Sequence, residues 1–143
     1  MSDLHGYYIE DLSVGQTASY AKTITEADVV LFAGITGDDN PVHINQEFAE
    51  TTMFKGRIVH GMFCAGLISC VAGTRMPGPG AIYVGQTLKF KAPVHIGDTV
   101  TATLTVREII LEKRRVICDT VATVKGRTVV EGEATFMIDH KPA

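Results

Sequence analysis

His60-Gly61-Met62-Phe63-Cys64-Ala65-Gly66-Leu67-Ile68-Ser69-Cys70-Val71-Ala72 is apolar on nearly all sides, so a helix over this stretch must be enclosed by the rest of the chain. It is read as the central helix of the fold. No Ser, Asp or Asn stands beside Gly61 at its start, which leaves the first N–H groups without a local partner and open to a ligand oxygen. Cys64 and Cys70 lie in this stretch, where a cysteine acts as a small buried hydrophobe. Ser69 is the polar side chain facing out of it, either bonded back to a carbonyl one turn earlier or supporting a site.

The C-terminal half of the chain supplies the enclosure. Met76-Pro77-Gly78-Pro79-Gly80 is a punctuating run, and beyond it the chain turns to strands. Residues 99–106 alternate strictly, with Val100, Ala102, Leu104 and Val106 on one face and threonines on the other, the period of a sheet with one buried side. Extended runs also cover 81–91, 114–124 and 128–138, and Lys125-Gly126-Arg127 reads as a tight hairpin. A further strand is expected over 16–23. One apolar helix facing several half-buried strands is an α+β pattern, a curved antiparallel sheet wrapped around the helix. Five strands leave edges that a second copy would cover.

Before the central helix, Thr25-Glu26-Ala27-Asp28 places a hydroxyl at a helix N-cap with an acid three residues on. The spacing of Val29, Val30, Phe32 and Ala33 predicts a helix over 26–36, ended by Gly37. A short helix is expected over 46–51, capped by Asn45. Between them runs Gly37-Asp38-Asp39-Asn40-Pro41-Val42-His43, a polar loop between apolar segments and of the kind that carries function.

The 143 residues, 45% of them hydrophobic, fit one domain spanning 1–143 with a core that needs no metal or disulfide. A net charge of -3 gives no footprint for nucleic acid. No apolar run suits a membrane span, Met1-Ser2-Asp3-Leu4-His5 lacks the pattern of a signal peptide, and three irregularly spaced cysteines do not form a disulfide framework. A cytoplasmic protein with small-molecule partners or other subunits is expected. Its five histidines show no paired ligand spacing, so no metal site is expected. There is no Gly-x-Ser-x-Gly elbow for nucleophilic catalysis.

Asp38 and His43 can hold a water between them and move protons in both directions, as hydration or dehydration requires. Asn40 could fix that water or the Asp, and Pro41 stiffens the turn. A thioester or ketone substrate would also need its developing oxyanion stabilised, and the N–H of Gly61 at a helix start suits that task.

The run Phe32-Ala33-Gly34-Ile35-Thr36-Gly37-Asp38-Asp39-Asn40-Pro41-Val42-His43 resembles the signature of the MaoC-like (R)-specific enoyl-CoA hydratases. The resemblance continues through Phe48-Ala49, Arg57-Ile58-Val59-His60-Gly61-Met62, Ile82-Tyr83-Val84-Gly85-Gln86-Thr87-Leu88-Lys89-Phe90, Pro93-Val94 and Gly97-Asp98. It implies a hot-dog fold, a homodimer, and reversible syn hydration of a trans-2-enoyl-CoA to the (R)-3-hydroxyacyl-CoA without a cofactor. It places the catalytic pair on Asp38 and His43, a supporting amide on Asn40, the oxyanion donor on Gly61 and a serine near the site on Ser69. Arg57, Lys89 and Lys91 are the cations near these motifs that could meet the CoA handle. His60 is expected to pack or cap near the central helix. Alternatives are a 3-hydroxyacyl-ACP dehydratase, whose acidic carrier would want a basic rim, and a hot-dog thioesterase. The thioesterase would need an acid on the central helix, which has none. A non-catalytic subunit is disfavoured by the presence of both Asp38 and His43.

Overall fold

Around the central helix α4 (Gly61–Thr74) the sheet curls so that its buried side chains meet those of the helix. The computed structural model describes residues 2–143; Met1, the first residue of the opening segment, lies outside the described residues. Cys64, Leu67, Ile68, Val71 and Ala72 of α4 are buried against Val100, Ala102, Leu104 and Val106 of β4 (Thr99–Ile110), with Val116, Cys118 and Ala122 of β5 (Arg115–Val124). β6 (Arg127–Met137) adds Val130, Ala134 and Phe136. Each fully buried Ile, Val or Leu in this layer contributes about 1.5–3 kcal/mol of transfer free energy. That is how an all-apolar helix becomes the axis of the fold.

The sheet is antiparallel throughout, in the order β1-β4-β5-β6-β2, with β1 at Thr17–Thr23 and β2 at Ile82–Gln86. The run expected as one strand over 81–91 is broken. β3 (Lys89–Phe90) pairs separately with β6, and the register of β2 slips between Tyr83 and Gly85. At the break the Thr87 carbonyl folds inward over Gly132, where a Cβ would sit 1.8 Å from that oxygen. Only glycine leaves room for this approach. Conversely β4 runs four residues past the alternating stretch, after a bulge between Val106 and Glu108. The hairpin between β5 and β6 turns on Lys125 (φ 50°) and Gly126 (φ 78°), the pair of positive φ values that matches strand twist.

On the N-terminal side, α1 (Glu26–Thr36) begins in the expected reciprocal cap between Thr25 and Asp28 and ends at Gly37, whose φ of 80° is left-handed. α3 (Gln46–Glu50) is capped by Asn45, which accepts from the Phe48 N–H. Between them the polar segment is not wholly loop. Pro41–Ile44 forms a single helical turn, α2, so His43 stands on a helical turn and Asp38 on the loop before it. Pro41 at the first position supplies the fixed φ that starts the turn. None of the described helices is long and apolar enough to cross a membrane.

Candidate active site

Two chain segments meet at the start of α4. The first carries Asp38 and His43; the second is the extended stretch 57–60 that leads into Gly61 and is tied to the sheet side by Val59 N–H donating to the Val94 carbonyl at 2.7 Å. Ile58 N–H donates to Val42 O at 3.2 Å, and His43 Nδ1 lies 2.8 Å from Ile58 O. A carbonyl only accepts, so Nδ1 carries the hydrogen. Neutral His43 then presents its lone pair on Nε2, the form of a general base.

Asp38, directly after the left-handed Gly37, is exposed and borders the cavity, and its Oδ1 accepts only a long 3.4 Å contact from Asn40 N–H. Its main-chain carbonyl accepts from His60 Nε2–H at 2.8 Å. His60 is 1% exposed and stacks on His43 with ring centroids 3.8 Å apart, while Phe32 closes in at 4.6 Å. Burial and the neighbouring His43 hold its pKa below that of a free imidazole, against an opposing pull from the Asp38 carbonyl and carboxylate. In place of the packing or capping role that the sequence suggests, His60 makes no side-chain cap and touches both Asp38 and His43. Its adjacency to Gly61 was the signal available.

Gly61 is the first residue of α4, and no acceptor among the described residues takes its N–H. A Cβ here would lie 2.6 Å from Phe90 Cδ1, so the position admits little but glycine while Phe90 stays in place. Gly61 borders a cavity of about 470 Å³ shared with Asp38, His60, Ile58, Cys64, Phe90 and Val94, within the size range of small-molecule sites. Most of this lining is apolar. The polar lining is confined to a few groups, among them Asp38, His60 and Lys91, which suits a ligand with an apolar chain and a polar head.

Other candidates fall differently. Asn40 uses Oδ1 to cap α2 through Val42 N–H at 3.0 Å, so it shapes the turn and that oxygen is not turned to a water. Arg57 is committed internally: Nε donates to His43 O at 2.6 Å and Nη1 pairs with Glu26 at 2.9 Å. With its side chain 16% exposed, it is a support for the His43 main chain and not a free cation for CoA. Lys91 borders the cavity, its ammonium 3.7 Å from Glu131. Lys89 borders a separate groove beside Arg107 and Glu133. Ser69 is exposed on α4, about 12 Å along the helix from Gly61, and does not border the cavity of this chain.

Asp38, His43 and His60 each offer a ligand atom, all within 4.8 Å of one another. Imidazole lone pairs lie in the ring plane, and the two rings are stacked with their planes only 27° apart. An ion at bonding distance from both would sit far out of at least one plane. The trio is better arranged for hydrogen bonding and proton transfer.

The sequence pattern of the MaoC like domain matches residues 13–131. The chain belongs to the MaoC-like family. It is 60% identical over 136 residues to the (R)-specific enoyl-CoA hydratase of Rhodospirillum rubrum, covering 95% of this chain and 94% of that one. To the 3-hydroxybutyryl-CoA dehydratase of Methylorubrum extorquens it is 48% identical over 141 residues, 99% of this chain and 90% of that relative. Among solved structures, the unliganded (R)-hydratase PhaJ1 of Pseudomonas aeruginosa superposes with a TM-score of 0.87 at 46% identity, covering 94% of this chain and 86% of that one. This MaoC-like chain therefore has the hot-dog fold expected from its central helix and alternating strands.

Proposed function

We propose that this MaoC-like chain, as a single domain, is an (R)-specific enoyl-CoA hydratase, a hydro-lyase adding water reversibly and syn to a trans-2-enoyl-CoA. The observation that carries the reading is the tautomer of His43 set by Ile58 O, with His43 and the Asp38 carboxylate close together at an apolar cavity that Asp38 and Gly61 both border. The acyl chain lies in the cavity and the thioester carbonyl accepts from Gly61 N–H. That hydrogen bond delocalises charge from Cα onto oxygen as an enolate, the step that otherwise dominates the barrier. Asp38 and His43 Nε2 hold one water. As its oxygen bonds to Cβ, one proton passes to Nε2; the imidazolium then returns a proton to Cα. Both additions come from one side, so the product is syn. Every atom of water ends in the product and the residues return to their starting state.

Lys91, at the rim of the cavity, is the cation placed to meet a CoA phosphate. The working unit is a homodimer, supported by the edge strand β2, which exposes Ile82, Tyr83 and Val84, and by the outer face of α4, which exposes Met62, Gly66, Ser69 and Gly73. Three free cysteines suit a reducing cytoplasm. Turnover of crotonyl-CoA with Asp38→Asn and His43→Gln tests the reading. Each variant should lose about 10²–10⁴-fold in kcat with an unchanged circular dichroism spectrum. Activity within a few-fold of wild type in either would refute the pair, and release of free CoA by the wild type would point to a thioesterase.

A further inference from the structure

The segment 57–61 does more than deliver Gly61. Its Ile58 carbonyl fixes the tautomer of His43, its Arg57 holds the His43 carbonyl, and its His60 reaches Asp38. Of these, His60 alone contacts both members of the reacting pair, and it is the most enclosed polar side chain of the site. Its tautomer is set by its partners. The Asp38 carbonyl only accepts, so Nε2 carries a hydrogen, while Nδ1 is buried without a hydrogen-bond partner among the described residues. A second proton would have to sit on that nitrogen, burying a cation with an unpaired N–H, which is among the costlier things a protein interior can hold.

We propose that His60 is a positioning residue of the hydration site, a permanently neutral imidazole that anchors the Asp38 main chain through Nε2–H and backs the His43 ring face to face. This rests on the hydratase reading of Asp38 and His43. Among the described residues the ionisable groups that reach it are those two alone, and Phe32 of α1 closes part of the remaining surface. The arrangement has two consequences. The Asp38 carboxylate, exposed and with one long contact of its own, owes its place to the backbone, which the Thr36 hydroxyl holds at the N–H (3.2 Å) and the buried His60 holds more tightly at the carbonyl (2.8 Å). In addition, a proton that His43 takes from water is not passed to the ring stacked against it, so it leaves towards substrate, the Asp38 carboxylate or solvent. The depressed basicity of His60, caused first by burial, agrees with this role.

Long-range proton–nitrogen NMR of the imidazoles in the wild-type protein tests the first half without any activity measurement. His60 should give the neutral Nε2–H pattern throughout about pH 5 to 8, the range in which an ordinary histidine titrates. A cationic or Nδ1–H pattern in that range overturns the proposal, whatever becomes of the hydratase reading. The second half is read in kcat against KM for crotonyl-CoA. His60→Phe keeps a flat ring but no donor, and His60→Gln keeps a donor but no ring. In folded protein each should lower kcat about 10- to 100-fold, the scale of a sub-ångström to 1 Å displacement of catalytic groups, with KM within about 3-fold, and Gln should retain more than Phe if the Asp38 anchor dominates. Both variants within about 3-fold of wild-type kcat would overturn positioning. Asp38→Asn run alongside separates the cases: full activity there removes the hydratase reading, while the NMR result on His60 still stands on its own.

Discussion

Replacing Gly61 by alanine puts a methyl group 2.6 Å from Phe90 Cδ1 and 2.7 Å from Cε1, where ordinary contact begins at 3.4 Å. Something must open by about 0.8 Å. Phe90 lies on the two-residue strand β3 and is 54% exposed, so its ring can swing outward, and the cost in stability should stay near the low end for overpacking, about 1 kcal/mol. Function has less latitude. Either the start of α4 shifts, taking the proposed oxyanion donor with it, or Phe90 abandons its side of the cavity. A displacement of that size at a reacting centre is worth about 10²-fold, and full loss of an oxyanion donor about 10²–10³-fold in kcat. Loss of crotonyl-CoA absorbance, monitored in Gly61→Ala, Phe90→Ala and the double variant, isolates the cause. The single Gly61→Ala should fall about 10²-fold, and the double variant should return close to Phe90→Ala alone. Activity of Gly61→Ala within about 3-fold of wild type, or a double variant no better than Gly61→Ala, would refute the steric argument.

Arg57→Ala should cost about 1–3 kcal/mol through the lost hydrogen bond to the His43 carbonyl, with little from the exposed partner Glu26; thermal melts check this, and a raised KM with unaltered kcat would instead make Arg57 a substrate cation. Lys91→Ala should raise KM for CoA thioesters several-fold, less so at high salt; no change at low salt removes it from the CoA site. Because the folded pKa of His60 is depressed, its contribution is complete above about pH 6.5 and is lost as pH falls towards the lower folded value. Urea titrations of His60→Gln should show a flatter stability profile there, and an identical slope would contradict the buried neutral ring. Burial raises the thiols of Cys64 to about 11 and Cys118 to about 12, so iodoacetamide should modify the half-buried Cys70 first by mass spectrometry; prior loss of Cys64 would show an open cavity floor.

Patterns confined to one element were readable in the chain. The apolar stretch of α4, the Thr25–Asp28 cap and the strict alternation of β4 each encode their own structure locally, and all three formed within a few residues of expectation. The break between β2 and β3 was hidden because its cause, Gly132, lies on another strand. The helical turn under His43 was hidden because Asn40 and Pro41 read equally well as loop residues. In the site, Asp38 and His43 stand in a single motif, and the structure brings them together. What the residues attach to was not: Arg57 looked like a surface cation until its contacts to His43 and Glu26 were seen, and His60 looked like packing until it met both Asp38 and His43. Ser69 matched a motif but lies away from the cavity within one chain.

In the proposed reaction Asp38 and His43 deliver both parts of water from one side of a substrate held by Gly61. Hydration of crotonyl-CoA in D2O, with both stereocentres of the product assigned by NMR and chiral chromatography, tests it most directly. The (3R)-hydroxy product with deuterium at Cα on the same face as the new hydroxyl is the predicted result. A (3S) product, or deuterium on the opposite face, would contradict it.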